Sequence, residues 1–120
     1  MRVLLLEDDP FLKYDLAEMV SGMGHEVLGP FQEEEAAVQA VLETGCDVAI
    51  LDFNLGGGRD SANVGDMLLQ REVPFAFTTG HSRDFLPARF ASVSVIEKPY
   101  RDHDIEDFVT SAAGGQPRPE

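Results

Sequence analysis

Val3-Leu4-Leu5-Leu6-Glu7-Asp8-Asp9-Pro10 is the stretch that decides the fold. Four apolar residues in a row, without alternation, suit a strand buried on both faces of a parallel sheet. Three acids follow at once, and Asp9-Pro10 supplies an N-cap and a first-turn proline for a helix. Downstream of Pro10 the period changes: Leu12, Leu16, Met19, Val20 and Met23 recur at helical spacing, and Gly22 or Gly24 ends that run.

The same alternation repeats along the chain. Apolar runs occur at Val48 to Leu51, Phe75 to Phe77 and Val93 to Ile96, and a weaker strand is expected from His25 to Phe31, ended by Gly29-Pro30. Helices are expected after Glu33-Glu34-Glu35, whose charge favours a helix N-terminus, and around Val64, Met67 and Leu68. A poor one, interrupted by Pro87, falls at Asp84 to Phe90, and a last one carries Ile105, Phe108, Val109 and Ala112. Five β-α units predict an α/β fold: a doubly wound parallel sheet of five strands with helices on both faces and right-handed crossovers. Gly56-Gly57-Gly58 reads as a flexible loop leading to the third helix near Ser61, because no Gly-Lys-Ser/Thr follows to make a phosphate loop.

Composition sets the limits. The 120 residues fit one domain, and 43% hydrophobic residues supply one ordinary core. The division expected is a domain over residues 1–113, a frayed tail over 114–120, and no output domain. A net charge of -13 argues against nucleic acid and against an anionic membrane as partners. One cysteine, Cys46, makes neither an internal disulfide nor a metal cluster. No apolar stretch approaches the roughly 18 residues of a membrane span, nor is there a secretory leader, so the expected location is cytoplasmic.

In open α/β sheets, ligands bind at the carboxyl ends of the strands. Those ends carry Glu7-Asp8-Asp9, Asp52, Thr79-Gly80 and Lys98-Pro99, and Lys98 is one of only two lysines in the chain. Clustered carboxylates repel one another unless a cation joins them, and Mg2+ takes one or two carboxylates while keeping several waters. A carboxylate can attack phosphorus to form an acyl phosphate. The transferring group then needs partners for three charged oxygens: the metal, Lys98, and the Thr79 hydroxyl with backbone N–H groups. Asp9 is better placed to cap the helix than to join the metal.

With these residues quoted, the chain resembles the receiver domain of bacterial two-component response regulators over almost its full length, and the resemblance implies a flavodoxin-like (βα)5 doubly wound sheet in the order 2-1-3-4-5. The matching segments are Leu4 to Pro10, Ile50-Leu51-Asp52-Phe53-Asn54-Leu55, Thr79-Gly80 and Lys98-Pro99. The resemblance implies that Asp52 is phosphorylated by a sensor histidine kinase or a histidine phosphotransfer protein. It implies Mg2+ (or Mn2+) on Asp8, Asp52 and the backbone carbonyl of Asn54, with Glu7 acting through a water. Thr79 and Lys98 would contact the phosphoryl group, a downstream protein would read the result, and the Lys98–Pro99 bond would be cis. Pro74 to His81 and Leu86 to Phe90 look like a subgroup of single-domain receivers with a Phe-Ala-Thr-Gly-type motif, which tend to serve stress-pathway kinases in alphaproteobacteria.

Three departures stand out. Val95 replaces the usual switch aromatic, His81 replaces an aromatic after Thr-Gly, and Thr78 replaces the usual Ala. His81 and Asn54 flank the attack line in the family, so both are candidates for tuning dephosphorylation. Phe11, Leu12 and Tyr100 lie near the edge where a kinase docks in the family. Two other functions compete: a degenerate receiver that binds partners without phosphorylation, and a phosphatase with an aspartyl-phosphate intermediate. Against the second, Asp8 is followed two places on by Pro10, so the Asp-x-Asp of such enzymes is missing.

Overall fold

The computed structural model describes residues 1–80 and 85–114, the last two of these as backbone only. In chain order the elements are β1 (Arg2–Leu6), α1 (Pro10–Gly22), β2 (Glu26–Phe31), α2 (Glu34–Glu43), β3 (Val48–Asp52), β4 (Asn54–Gly56) and β5 (Arg59–Asp60). Then come α3 (Ala62–Gln70), β6 (Phe75–Thr79), a 3-10 turn (Ala88–Phe90), β7 (Ser94–Glu97) and α4 (Asp102–Gly114). The main sheet is parallel throughout, in the order β2-β1-β3-β6-β7. This is the flavodoxin-like order expected, with an added hairpin between its third and fourth strands.

The continuous apolar runs are explained by two cores, one on each face. Leu4, Leu6, Leu51 and Phe77 point to α2 and α3, where they meet Ala37, Val41, Val64 and Leu68. Val3, Leu5, Ile50 and Ala76 point to α1 and α4, where they meet Leu16, Val20, Ile105 and Val109. All five residues of β3 are buried, so Asp52 at its end is held by a strand that has no polar face to slip toward.

Four expectations are corrected. β2 reaches Phe31 as expected, but Gly29-Pro30 does not end it and lies inside the strand, with a register shift against β1 between Leu4 and Leu6. Gly29 has φ +109°, and a Cβ there would lie 2.9 Å from the Leu5 carbonyl oxygen, so only glycine carries the strand through this bulge. Residues 56–58 are not a shapeless loop. They are the tip of the antiparallel β4–β5 hairpin, where φ is positive at all three glycines.

The fourth crossover is not an α-helix where it is described: Ala88–Phe90 form one 3-10 turn after Pro87, and residues 81–84 lie outside the described region. What holds this short segment is α3. Phe90 packs on Gly65 and Phe77, and Arg89 makes a two-pronged ion pair with Asp66 at 2.7 and 3.1 Å. Gly114, expected to begin the tail, belongs to α4; residues 115–120 are outside the described region.

Candidate functional site: an acidic cluster at the carboxyl edge of the sheet

Each functional side chain arrives from the end of a parallel strand. β1 delivers Glu7 and Asp8, β3 delivers Asp52, and the chain after β7 delivers Lys98. Glu7 is fixed at both ends: its N–H donates to the Phe31 carbonyl at 2.8 Å, and its Oε2 accepts from the Asp9 N–H at 3.0 Å. Asp9 borders the same cavity but commits its carboxylate to capping α1, accepting at Oδ1 from the N–H groups of Phe11 (2.9 Å) and Leu12 (3.0 Å). Those two bonds hold its carboxyl below the usual range.

Glu7, Asp8 and Asp52 each offer a carboxylate oxygen, and these atoms all lie within 4.8 Å of one another. Glu7 is 1% and Asp52 4% exposed, so this negative charge is concentrated out of water. Lys98 is the counter-charge: its Nζ lies 3.2 Å from Oε1 of Glu7 and 3.2 Å from Oδ2 of Asp52. One cation against three carboxylates leaves the cluster short of positive charge. Burial pushes the Asp52 carboxyl up to about 8, and Glu7 adds to that push by hydrogen bonding and by charge, while Lys98 opposes it. For Lys98, burial disfavours the ammonium, yet Asp52 and Glu7 together outweigh it and raise its pKa. Despite its short ion pair, Glu7 Oε1 has no aligned hydrogen bond.

The cluster floors an open cavity of about 540 Å³ that also reaches Asn54, Gly56 and Gly80. Gly56 matters because a Cβ there would stand 3.4 Å from Oδ2 of Asp8. Asn54 spends its side chain locally, accepting at Oδ1 from the Gly56 N–H at 2.9 Å and shaping the hairpin tip. Thr79 is buried but does not line this cavity. It lines a neighbouring one of about 290 Å³, with Phe53, Asn54, Arg59 and Phe85. The two regions meet at Asn54. His81 lies outside the described residues.

Sequence reasoning missed one contributor. Glu34, at the start of α2, accepts from the Val64 N–H at 3.1 Å and from the Asn63 side-chain amide at 3.3 Å. It thereby caps α3, whose N-cap residue Ser61 makes no side-chain cap of its own. The only signal was an acid expected at a helix N-terminus; that it serves a different helix is a tertiary fact.

A doubly wound parallel sheet of this order, with an acid cluster and a lysine at its carboxyl edge, defines a receiver-type domain. The chain belongs to the response-regulator receiver domains. Its fold superposes on the solution structure of SdrG from Sphingomonas melonis with a TM-score of 0.80 and 30% identity, covering 94% of this chain and 96% of that one. It is 31% identical over 113 residues to the phyllosphere-induced regulator PhyR of Methylorubrum extorquens, covering 92% of this chain and 42% of PhyR. It is 26% identical over 110 residues to the transcriptional regulatory protein PdtaR of Mycobacterium tuberculosis, covering 90% of this chain and 53% of PdtaR. The chain thus spans about half the length of the curated relatives it matches. No family model matches the sequence. No helix among the described residues is long and apolar enough to cross a membrane.

Proposed function

We propose that this chain is a phosphoacceptor: Asp52 takes a phosphoryl group from a phosphohistidine on a sensor histidine kinase or a histidine phosphotransfer protein. The observation that carries the reading is the convergence of Glu7, Asp8 and Asp52 within 4.8 Å beside Lys98. An Asp52 carboxylate oxygen attacks phosphorus, the phosphorus–nitrogen bond breaks, and the donor imidazole keeps the electron pair. Lys98, already 3.2 Å from Asp52, follows the charge onto the phosphoryl oxygens.

The donor set fits a hard divalent ion. It consists of oxygens, carries more negative charge than Lys98 offsets, and includes a buried Glu7 oxygen without an aligned partner. Asp8, Asp52 and the Asn54 backbone carbonyl would hold Mg2+ (or Mn2+) directly, with Glu7 behind a water. When bound, the ion supplies neutralising charge for the phosphoryl oxygens.

Thr79 is the proposed reporter. From its separate cavity its hydroxyl would turn toward the new oxygens, shifting an existing equilibrium in the crossover between β6 and β7. A downstream protein would read that shift. The likeness of residues 74–80 to the Phe-Ala-Thr-Gly-type subgroup supports a receiver domain over residues 1–113, and the family positions of His81 and Asn54 beside the attack line support a dephosphorylation-tuning role.

The test is intact mass after incubation with acetyl phosphate or phosphoramidate, with and without Mg2+, for the wild type and Asp52→Asn. A gain of one phosphoryl group that needs Mg2+ and is absent in the variant is expected. No gain under any condition would turn the reading toward a phosphorylation-independent binding module.

A further inference from the structure

We propose that the outer edge of β7 is a docking site for an extended Lys- or Arg-bearing segment of a partner protein, taken up by strand addition. The inference is independent of the phosphoacceptor reading. Among the described residues β7 ends the sheet and pairs on one side only, with β6. The Lys98 N–H donates inward to the Thr79 carbonyl at 2.8 Å. Backbone alternation in a parallel ladder therefore turns the N–H and C=O of Val95 and Glu97 outward. An edge of this kind is a template for another strand unless something covers it.

Here the edge faces a groove. All four residues of β7 line an open cavity of about 570 Å³ whose other wall is α4, with Asp104, Asp107 and Phe108. A β-strand of four residues needs a trough of this kind: backbone partners along its floor and side-chain room beside it. Val95 contributes by its size. An aromatic side chain at that position would add bulk beside the edge.

Charge selects the occupant. The groove carries Glu97, Asp104 and Asp107, and no Lys or Arg among its described lining residues. A second copy of this chain would bring the same three carboxylates against these and be repelled. An extended segment with cationic side chains satisfies both the acids and the free backbone groups, which is the recognition mode of β-strand addition.

The probe is a short acetylated peptide of alternating Lys and Val, titrated into the 15N-labelled full chain. Saturable binding that shifts the amide signals of Val95 and Glu97 is expected. The same peptide N-methylated at alternate residues keeps its charge but loses the strand hydrogen bonds, and should bind at least tenfold more weakly. So should the unmodified peptide with the Glu97→Gln, Asp107→Asn double variant, whose fold is checked by circular dichroism; both residues are exposed. Equal binding of the methylated peptide would reduce the effect to attraction toward a chain of charge -13 and overturn the proposal. Slow hydrogen exchange at Val95 and Glu97 in the peptide-free protein would also overturn it, by showing the edge already filled.

Discussion

The Lys98 ammonium lies 3.2 Å from an oxygen of Asp52, although the two residues are 46 positions apart and belong to different strands' ends. A carboxylate only 4% exposed beside a second buried acid is costly, and this contact is what offsets part of that cost.

Removing the cation tests the point. Lys98→Met should leave two buried acids facing each other and destabilise the protein by about 2 kcal/mol, less than a fully buried pair because Lys98 is partly exposed. Phosphorylation by phosphoramidate should slow at least tenfold while Mg2+ binding persists. A variant as stable and as reactive as wild type would show that Lys98 has no part in the site.

The raised pKa of Asp52 has a definite sign. Unfolded, the carboxyl ionises near its ordinary value of 3.8; folded and metal-free, near 8. Between these values the folded chain holds a proton that the unfolded chain has lost. Its stabilising effect is complete below about pH 4 and is lost as pH rises through about 8. Chelator-treated protein should therefore lose on the order of a few kcal/mol between pH 5 and 9. Asp52→Asn should flatten that slope, and Mg2+ should restore stability at pH 8. Denaturant melts at three pH values measure all of this; parallel slopes for wild type and variant would refute it.

Gly65 is a packing constraint on the 3-10 turn Ala88–Phe90 between β6 and β7. A Cβ there would stand 2.9 Å from Phe77 Cζ and 3.1 Å from the Phe90 ring. Gly65→Ala gains about 1 kcal/mol of helix propensity and loses about 1–3 kcal/mol to overpacking, so a net loss is expected. Phe90→Ala should cost about 3–5 kcal/mol. Trimming the ring in Gly65→Ala, Phe90→Leu should recover part of the Gly65→Ala loss. Simple additivity of the two changes would mean that the crowding at Gly65 is relieved elsewhere.

Glu34 should matter beyond its own helix. Glu34→Ala leaves the Val64 N–H without its partner and should cost about 1 kcal/mol, which for a chain of 120 residues is about 4 °C in Tm. Because α3 follows directly on the hairpin that carries Asn54, Mg2+ affinity should fall as well. Glu34→Gln, which can still accept these bonds, should restore most of both. Unchanged Mg2+ affinity in Glu34→Ala would confine the residue to helix stability.

The parallel sheet, its two-sided helix cover and the acidic edge are legible in the residues, whereas the strand order came with the family resemblance and the single core expected is two, one on each face. Unbroken runs such as Val3 to Leu6 and Val48 to Leu51 are buried on both faces, and doubly buried strands demand crossovers. Asp9 is legible as a cap, since capping is local chemistry between neighbours in sequence. The hairpin over 54–60 is not legible, because glycines signal backbone freedom without saying which conformation is taken. The continuation of β2 past Gly29-Pro30 is hidden for a related reason: whether a bulge is tolerated depends on the strand beside it.

By itself, then, the sequence determined what is local or periodic: the five strands of the main sheet, the helices with a regular apolar period, and which acids and which lysine sit at strand ends. Tertiary structure alone decided what depends on distances between segments far apart in the chain. It brought Glu7, Asp8, Asp52 and Lys98 into one cluster, placed Thr79 in a neighbouring cavity, lent Glu34 to a helix that is not its own, and left the edge of β7 without a strand partner among the described residues. The physical reason is that periodicity and capping act over a few residues, whereas Coulomb interactions and close packing act through space and take their magnitude from burial, which exists only once the chain has folded.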